Sequence, residues 1–374
     1  MTNFDAFDCA MMALAIQLAK RGRYTTRPNP RVGAVLVKAG AIVGQGWHQR
    51  AGEGHAEVNA IRDAGVEASG ATAYVTLEPC SHHGRTPPCC EALINAGVSK
   101  VIYGMKDPNP LVSGQGEARL LQAGILVQSG CCELECWALN PGFISRMTVG
   151  RPLVRVKMAM SLDGHTAMQN GYSKWITCDA ARHDVHRLRA ASDVVLTGSG
   201  TALADDPQLN VRLSLADLGL SEGQVLPQPD RVLLDSRLVI SDDAALLSAP
   251  EKLRVFHAET ADSVRAAELQ RRGVNCHAVG SNKGGVDLDE ILKTLADLAV
   301  NEVLVEAGAT LAGRFVEQGL VDELIIYMAP HLMGDAGRPL FNLPSIRRMD
   351  DRKALKIKDI RAVGSDFRIT AAMA

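Results

Sequence analysis

The chain has 374 residues, more than one hydrophobic core ordinarily serves, so two domains are expected. A hydrophobic share of 47% with 22% charged residues excludes a disordered or collagen-like chain. The 40 basic residues against 42 acidic ones leave a formal charge of -2, which supplies no field for holding a polyanion by counterion release, so nucleic acid is not an expected partner.

Ala10, Met11, Leu14, Ala15, Leu18 and Ala19 recur at helical spacing until Lys20, Arg21 and Gly22, which predicts a first helix. Residues 32–37 and 41–46, parted by Lys38, Ala39 and Gly40, read as a hairpin. Helices over 58–64, 91–96 and 117–122 then alternate with strands over 71–77, 98–105 and 125–128, the pattern of an α/β layered sheet. After a helical stretch around 133–139, Asn140, Pro141 and Gly142, then Gly150 and Pro152, read as punctuation, so a first domain of 1–147 and a second of 148–374 are expected. The second restarts with strands near 153–160, 193–197, 231–234 and 254–256. Leu288, Ile291, Leu292, Leu295, Leu298 and Ala299 make one apolar helical face before a strand at 302–306, and a helix over 311–318 precedes a strand at 323–328. Residues 213–229 read as a long loop with one helical turn.

No apolar run reaches the roughly 18 residues of a membrane span. Asp5 and Asp8 precede the first lysine, unlike the basic start of a secretory signal, so a soluble cytoplasmic protein without a membrane partner is expected. Nine cysteines are an odd number, better explained by metal binding or buried free thiols than by disulfides.

The strongest chemical signal is His55-Ala56-Glu57, followed by Glu78-Pro79-Cys80 and Pro87-Pro88-Cys89. One imidazole and two thiolates leave the fourth tetrahedral position of a zinc ion to water, the catalytic rather than the closed structural arrangement. Residues two apart face opposite sides in mid-helix, so His55 and Glu57 share a site only at a helix start, which Gly52 and Gly54 make reasonable. Pro87 and Pro88 place Cys89 at the opening of a helix, and Cys80 follows a strand. Water held by zinc has its pKa lowered toward about 7, and Glu57 is free to shuttle its proton. A closed structural site, with His82, His83 or Cys90 as fourth ligand, is the main alternative. His48 is expected to pack at a strand end rather than bind metal. Cys131, Cys132 and Cys136 are expected to be packing thiols, because adjacent cysteines on a helix face different directions and no histidine accompanies them; a second metal is the lesser alternative.

These motifs resemble the cytidine-deaminase superfamily, with one departure: eight residues, not two, separate Cys80 from Cys89. With Asn29-Pro30-Arg31-Val32-Gly33 upstream, the run from Pro79 to Cys89 resembles the bifunctional deaminase/reductases of riboflavin biosynthesis. The resemblance implies that His55, Cys80 and Cys89 hold zinc and that Glu57 is the proton donor. It further implies a phosphoribosylaminopyrimidine substrate, with Arg85 as a candidate phosphate contact.

The second half has no G-x-G-x-x-G, and Gly308-Ala309-Thr310-Leu311-Ala312-Gly313-Arg314 lacks the Lys-Ser/Thr pair of a P-loop. A strand leading through Glu306, Ala307 and Gly308 into a helix nevertheless offers free N–H groups to a phosphate, though a glycine there also serves tight packing. Residues 157–164, 173–177, 203–207 and 305–308 resemble the reductase half of the same family, so a dihydrofolate-reductase-like domain is expected after the cytidine-deaminase-like three-layer one. That resemblance implies NADPH held by Ala159, Trp175, Thr201, Asp205, Ser236 and the turn of Gly308, Ala309, Thr310, Leu311, Ala312, Gly313 and Arg314. It implies a ribose-phosphate site of Ser173, Arg189, Leu209, Arg212 and Glu306. Asp205, Glu306 and Lys157 are the candidates for proton handling beside the hydride, and Arg237 for a cofactor 2′-phosphate. Self-association into a homo-oligomer stays open. A deaminase of free nucleosides or RNA, with the second half as a binding module, is the competing enzyme; the near-neutral charge and lack of a basic-aromatic platform count against RNA. A zinc-stabilised ligand sensor is the non-enzymatic alternative.

Overall fold

The hairpin expected over residues 32–46 forms: β1 (Gly33–Lys38) is buried along nearly its whole length, and β2 (Ala41–Trp47) is its half-exposed antiparallel partner. The computed structural model to which they belong describes residues 4–81, 87–110, 112–282 and 285–373. Two compact units divide the chain, Met1–Gly150 and Arg151–Ala374.

In the first unit, β3 (Thr72–Leu77), β4 (Lys100–Met105) and β5 (Leu126–Ser129) complete a sheet of order β2-β1-β3-β4-β5. The β1–β3 pair is antiparallel, and β3–β4 and β4–β5 are parallel. Helix α1 (Ala6–Arg21) starts in a capping box in which Asp5 accepts from the Asp8 N–H at 2.8 Å, so the two acids that argued against a secretory signal also start the helix. Two glycines fix the layers. A Cβ on Gly33 would stand 2.0 Å from the Ala15 carbonyl of α1, and one on Gly46 would stand 2.4 Å from the Ala56 carbonyl of α2 (Ala56–Ala64). Gly46 pairs with Ala34, the neighbour of Gly33, so Gly33 and Gly46 face opposite sides of the sheet. The two helices therefore cover opposite faces, giving three layers. Helices α3 (Cys89–Asn95), α4 (Gln115–Gln122), α5 (Glu133–Trp137) and α6 (Pro141–Val149) complete the unit. Asn140 and Pro141, expected as punctuation, are the N-cap and first residue of α6, which carries the unit past residue 147 until left-handed Gly150 ends it.

The second unit carries a nine-stranded sheet. Its strands are β6 (Leu153–Ser161), β8 (Val194–Gly198), β9 (Asp230–Leu234), β10 (Leu253–Ala258), β11 (Asn275–Val279), β14 (Glu302–Glu306), β15 (Glu323–Ala329), β17 (Leu355–Val363) and β18 (Asp366–Met373). The order is β11-β10-β9-β8-β14-β6-β15-β18-β17, parallel except at the β15–β18 and β18–β17 pairs. Two short pairs stand apart, β7 (His165–Ala167) with β16 (Arg338–Pro339) and β12 (Ser281–Asn282) with β13 (Gly285–Val286). Helices α7 (Asp179–Ala191), α8 (Ser199–Asp205), α9 (Ser263–Arg271), α10 (Leu288–Asp297) and α11 (Ala309–Glu317) connect them. The stretch 213–229 holds one 3-10 turn, Ala216–Leu218. Burial of Leu288, Ile291, Leu292 and Leu295 on α10 follows the apolar face read from the sequence. Among the described residues no helix is long and apolar enough to cross a membrane.

Candidate functional sites

His55 is the N-cap of α2, with extended backbone, and Glu57 lies in the first turn, so the two residues occupy the one part of a helix where such spacing lets them meet. Cys80 follows β3 by three residues, and Cys89 is the first residue of α3, with Pro88 as its cap. One nitrogen and two sulfurs converge here, all within 4.8 Å of one another. His55 Nδ1 lies 3.2 Å from Cys89 Sγ and 3.6 Å from Cys80 Sγ, and the Cys89 N–H donates to Cys80 Sγ at 3.3 Å. The hydrogen bond from Cys89, with His55 beside it, pulls the Cys80 thiol well below its usual range, and Cys89 is pushed up in return. The Cys80 thiol is thus ready to give up its proton when a cation binds. This set of borderline and soft donors, grouped at tetrahedral scale, suits zinc.

Glu57 is 3% exposed, and burial followed by the nearby Cys80 raises its carboxyl to about 7. Glu57 and the ligand residues His55 and Cys80 line a cavity of about 400 Å³ that also meets Asn29, His48, Asp107, Asn109 and Phe143. His48 sits buried just beyond β2, with Nε2 3.1 Å from Asn29 Nδ2 and Nδ1 3.2 Å from the Gly54 carbonyl. Cys90 points elsewhere: its thiol donates to the Pro79 carbonyl at 3.2 Å and is buried. His82, His83 and Arg85 lie outside the described residues.

Sequence reasoning placed Glu78 in the ligand motif but gave it no role. Its buried carboxylate accepts from the backbone N–H groups of Asp107 (3.2 Å), Gly114 (3.0 Å), Gly116 (3.0 Å) and Glu117 (3.3 Å), which pins the turn carrying Cys80. The signal was the acid before Pro79, but its donors lie 29 to 39 residues away.

In the second unit, Glu306 ends β14 opposite Lys157 of β6 in register. Arg189 of α7 holds Glu306 in a two-point fork, Nε to Oε1 at 2.6 Å and Nη2 to Oε2 at 3.0 Å, and Lys157 Nζ lies 4.0 Å from Oε2. Burial pushes the Glu306 carboxyl up, but Arg189 and Lys157 more than offset this and bring it to about 2; burial also lowers Lys157. The guanidinium fork expected to meet phosphate is here given to Glu306, whereas Arg212 is exposed. Leu209 is 3% exposed and belongs to the core, so what it offers a ligand is backbone.

Asp205 ends α8 at an exposed position. Thr201 of the same helix accepts from the Gly308 N–H at 3.1 Å, joining the ends of β8 and β14. Gly308 caps α11, and a Cβ there would meet only Thr201 Oγ1, at 3.8 Å. Packing within the chain does not demand this glycine, so the open space suits a ligand held by the first N–H groups of the helix. Gly313 differs: a Cβ would stand 2.1 Å from the Asn342 carbonyl, and both Gly313 and Ala312 are buried. Of the expected turn, Gly308 and Thr310 are therefore the exposed positions, while the Leu311 side chain packs against the core and can offer only its backbone. Arg314 turns to the β13 strand, donating to the Val286 carbonyl at 2.8 Å. Ser236 lies just past β9, half-buried, with exposed Arg237 after it, and Ala159 is half-buried on β6. Trp175 is exposed, with the Arg182 guanidinium 4.6 Å from its ring centre, and Ser173 is half-buried two residues before it.

Residues 5–105 match the model of the cytidine and deoxycytidylate deaminase zinc-binding region, and residues 152–369 match that of the RibD C-terminal domain. The riboflavin biosynthesis protein RibD of Escherichia coli K12 is 49% identical over 358 residues, covering 95% of this chain and 96% of that one. The chain belongs to the RibD family. A solved Acinetobacter baumannii RibD is 45% identical with a TM-score of 0.91, covering 98% of this chain and 99% of its own. A Thermotoga maritima structure, described as a diaminohydroxyphosphoribosylaminopyrimidine deaminase/5-amino-6-(5-phosphoribosylamino)uracil reductase, is 34% identical with a TM-score of 0.84 over the same shares. Like other RibD proteins, this chain is a bifunctional deaminase and reductase of riboflavin biosynthesis, joining a cytidine-deaminase-like domain to the α/β reductase domain of the RibD family. Zinc serves the first domain and a nicotinamide cofactor the second, and the substrate is a small molecule.

Proposed function

We propose that residues 1–147 hydrolytically remove the exocyclic amine of 2,5-diamino-6-(5-phosphoribosylamino)pyrimidin-4-one, and that residues 148–374 reduce the ribosyl group of the product with NADPH, giving 5-amino-6-(5-phosphoribitylamino)uracil. The setting is the cytoplasm, where the free cysteines would stay reduced. The observation that carries the reading is the convergence of His55, Cys80 and Cys89 beside buried Glu57 in one cavity.

His55, Cys80 and Cys89 would hold a single zinc ion. When bound, zinc supplies the Lewis acidity that lowers the pKa of water from about 15.7 toward about 7. Glu57 takes the proton from the attacking water at a carboxylate oxygen and passes it to the leaving amine, so that the ring carbon gains oxygen and ammonia departs. Its burial keeps bulk water from that proton. Asn29 and His48, bonded to each other, form part of the wall that receives the pyrimidine.

In the second domain NADPH, when bound, supplies the hydride. Ala159, Trp175, Thr201, Ser236 and the first-turn N–H groups of Ala309, Thr310 and Leu311, beside the open face of Gly308, would receive it, while Ser173, Arg212 and the backbone at Leu209 would receive the ribose phosphate. Glu306 stays anionic between Arg189 and Lys157 and positions the ammonium. Lys157 is the better placed of the candidate proton donors: as the opened ribosylamine carbon accepts hydride, Nζ gives a proton to the neighbouring nitrogen. Stepwise incubation with the diaminopyrimidine phosphate tests the whole reading. Ammonia should appear without NADPH, and NADPH should be oxidised only after deamination; NADPH oxidation with no prior ammonia release would contradict it.

A further inference from the structure

A second group of thiols converges among the described residues. Cys9, Cys131 and Cys132 bring their Sγ atoms within 4.8 Å of one another. Helical geometry would point adjacent cysteines apart, but Cys131 and Cys132 precede α5 rather than lie in it. Cys132 caps that helix with a left-handed backbone, φ 50°, and this local reversal lets both neighbouring thiols approach Cys9 on α1. Cys132 Sγ also lies 3.9 Å from the Cys9 carbonyl. Cys131 is buried, Cys132 half-buried and Cys9 exposed, so the group has a closed inner side and an entrance from solvent.

We infer that Cys9, Cys131 and Cys132 form a second metal site, a three-thiolate seat for a thiophilic divalent d10 cation of the zinc and cadmium class. Three sulfurs select against hard cations such as Mg²⁺ and Ca²⁺. Tetrahedral ligands at about 2.3 Å from zinc stand about 3.8 Å apart, so the observed spacing closes on a cation by small side-chain rotations. Asp8, adjacent to Cys9, accepts from the Tyr74 hydroxyl at 2.8 Å and adds negative charge, which favours a divalent over a monovalent ion. On binding, three S–H bonds give their protons to solvent and three metal–sulfur bonds form, with no change of oxidation state; water reaches the fourth position past Cys9. The ion ties α1 to a segment more than 120 residues along the chain, so its binding stabilises the first unit by mass action.

The test uses the full chain, reduced with a phosphine, loaded with zinc and freed of excess, then titrated with Cd²⁺. Zinc and cadmium are counted together, and sulfur-to-cadmium charge transfer is followed in the ultraviolet. Wild type should hold about two ions per chain and Cys9→Ser and Cys132→Ser about one each, all three releasing ammonia at the same rate. Because Cys9 is exposed, its serine variant leaves the core intact. The second equivalent should also raise the melting temperature of wild type and not of Cys9→Ser. Wild type that releases ammonia normally while holding about one ion, or a second ion that survives in both variants, overturns the site.

Discussion

Asn140 pairs its whole side-chain amide with the backbone of Arg31: Oδ1 accepts from the Arg31 N–H at 2.7 Å, and Nδ2 donates to the Arg31 carbonyl at 2.9 Å. Arg31 returns a bond from Nη1 to the Leu139 carbonyl at 3.0 Å. The start of α6 thereby anchors the segment that brings Asn29 to His48 on the cavity wall. Asn140→Ala removes both amide bonds at a buried position and should cost about 1–3 kcal/mol. Thermal unfolding should show the loss, and the KM for deamination should rise more than kcat falls. An unchanged melting temperature and KM would separate this clamp from the site.

Glu78 offers a second positioning test. Glu78→Ala takes the shared acceptor from four backbone N–H groups, and a loss of about 3 kcal/mol or more is expected. Cys80 stands two residues on, so zinc content after mild chelation should fall with stability. Full zinc retention in Glu78→Ala would show that the ligand turn holds its shape without this carboxylate.

Most of the first site was legible because its chemistry is local. His55 and Glu57 sit two apart at a helix start, and the prolines around Cys80 and Cys89 mark a strand exit and a helix entry, geometry that short-range rules predict. What was hidden depends on distant partners or local reversals. The donors to Glu78 come from Asp107 and the N-terminal turn of α4, the fork of Arg189 is occupied by a residue 117 positions away, and left-handed Cys132 turns two neighbouring thiols to one place. Pro141 read as a break because proline ends helices as well as opening them, and only the capping position of Asn140 decides. The β17–β18 hairpin escaped notice because the alternation of β17, Leu355 and Ile357 and then Ile360 and Ala362, changes phase at a bulge between Ile357 and Asp359, and the strand is exposed along most of its length.

Gly308 and Gly313 look alike in sequence and should behave oppositely. Gly308→Val projects into open space above the helix start, so NADPH affinity should fall by about tenfold or more, with the melting temperature and ammonia release unchanged. Gly313→Ala meets the Asn342 carbonyl and should lower the melting temperature instead. Unaltered NADPH affinity in Gly308→Val would remove this turn from the cofactor site.

The second domain also carries a defined acid dependence. Glu306 has a folded value of about 2 against 4.5 for the free group. Its contribution to stability is therefore complete above about pH 4.5 and is lost as pH falls toward 2. Glu306→Gln should flatten that part of the acid-unfolding curve of the second domain. Glu306 should likewise leave no ionisation step in the reductase rate between pH 5 and 9; an inflection there that Glu306→Gln abolishes would make this carboxyl, not Lys157, the proton carrier.

The most direct measurement is made on Glu57→Gln, by assaying bound zinc, ammonia release and reduction of the deaminated intermediate on one preparation. Zinc should stay at the wild-type level, ammonia release should drop by at least about 10²-fold, and NADPH oxidation with the deaminated intermediate should proceed at the wild-type rate. Normal ammonia release from the zinc-loaded variant would contradict the assignment of Glu57 and, with it, the account of how the first domain works.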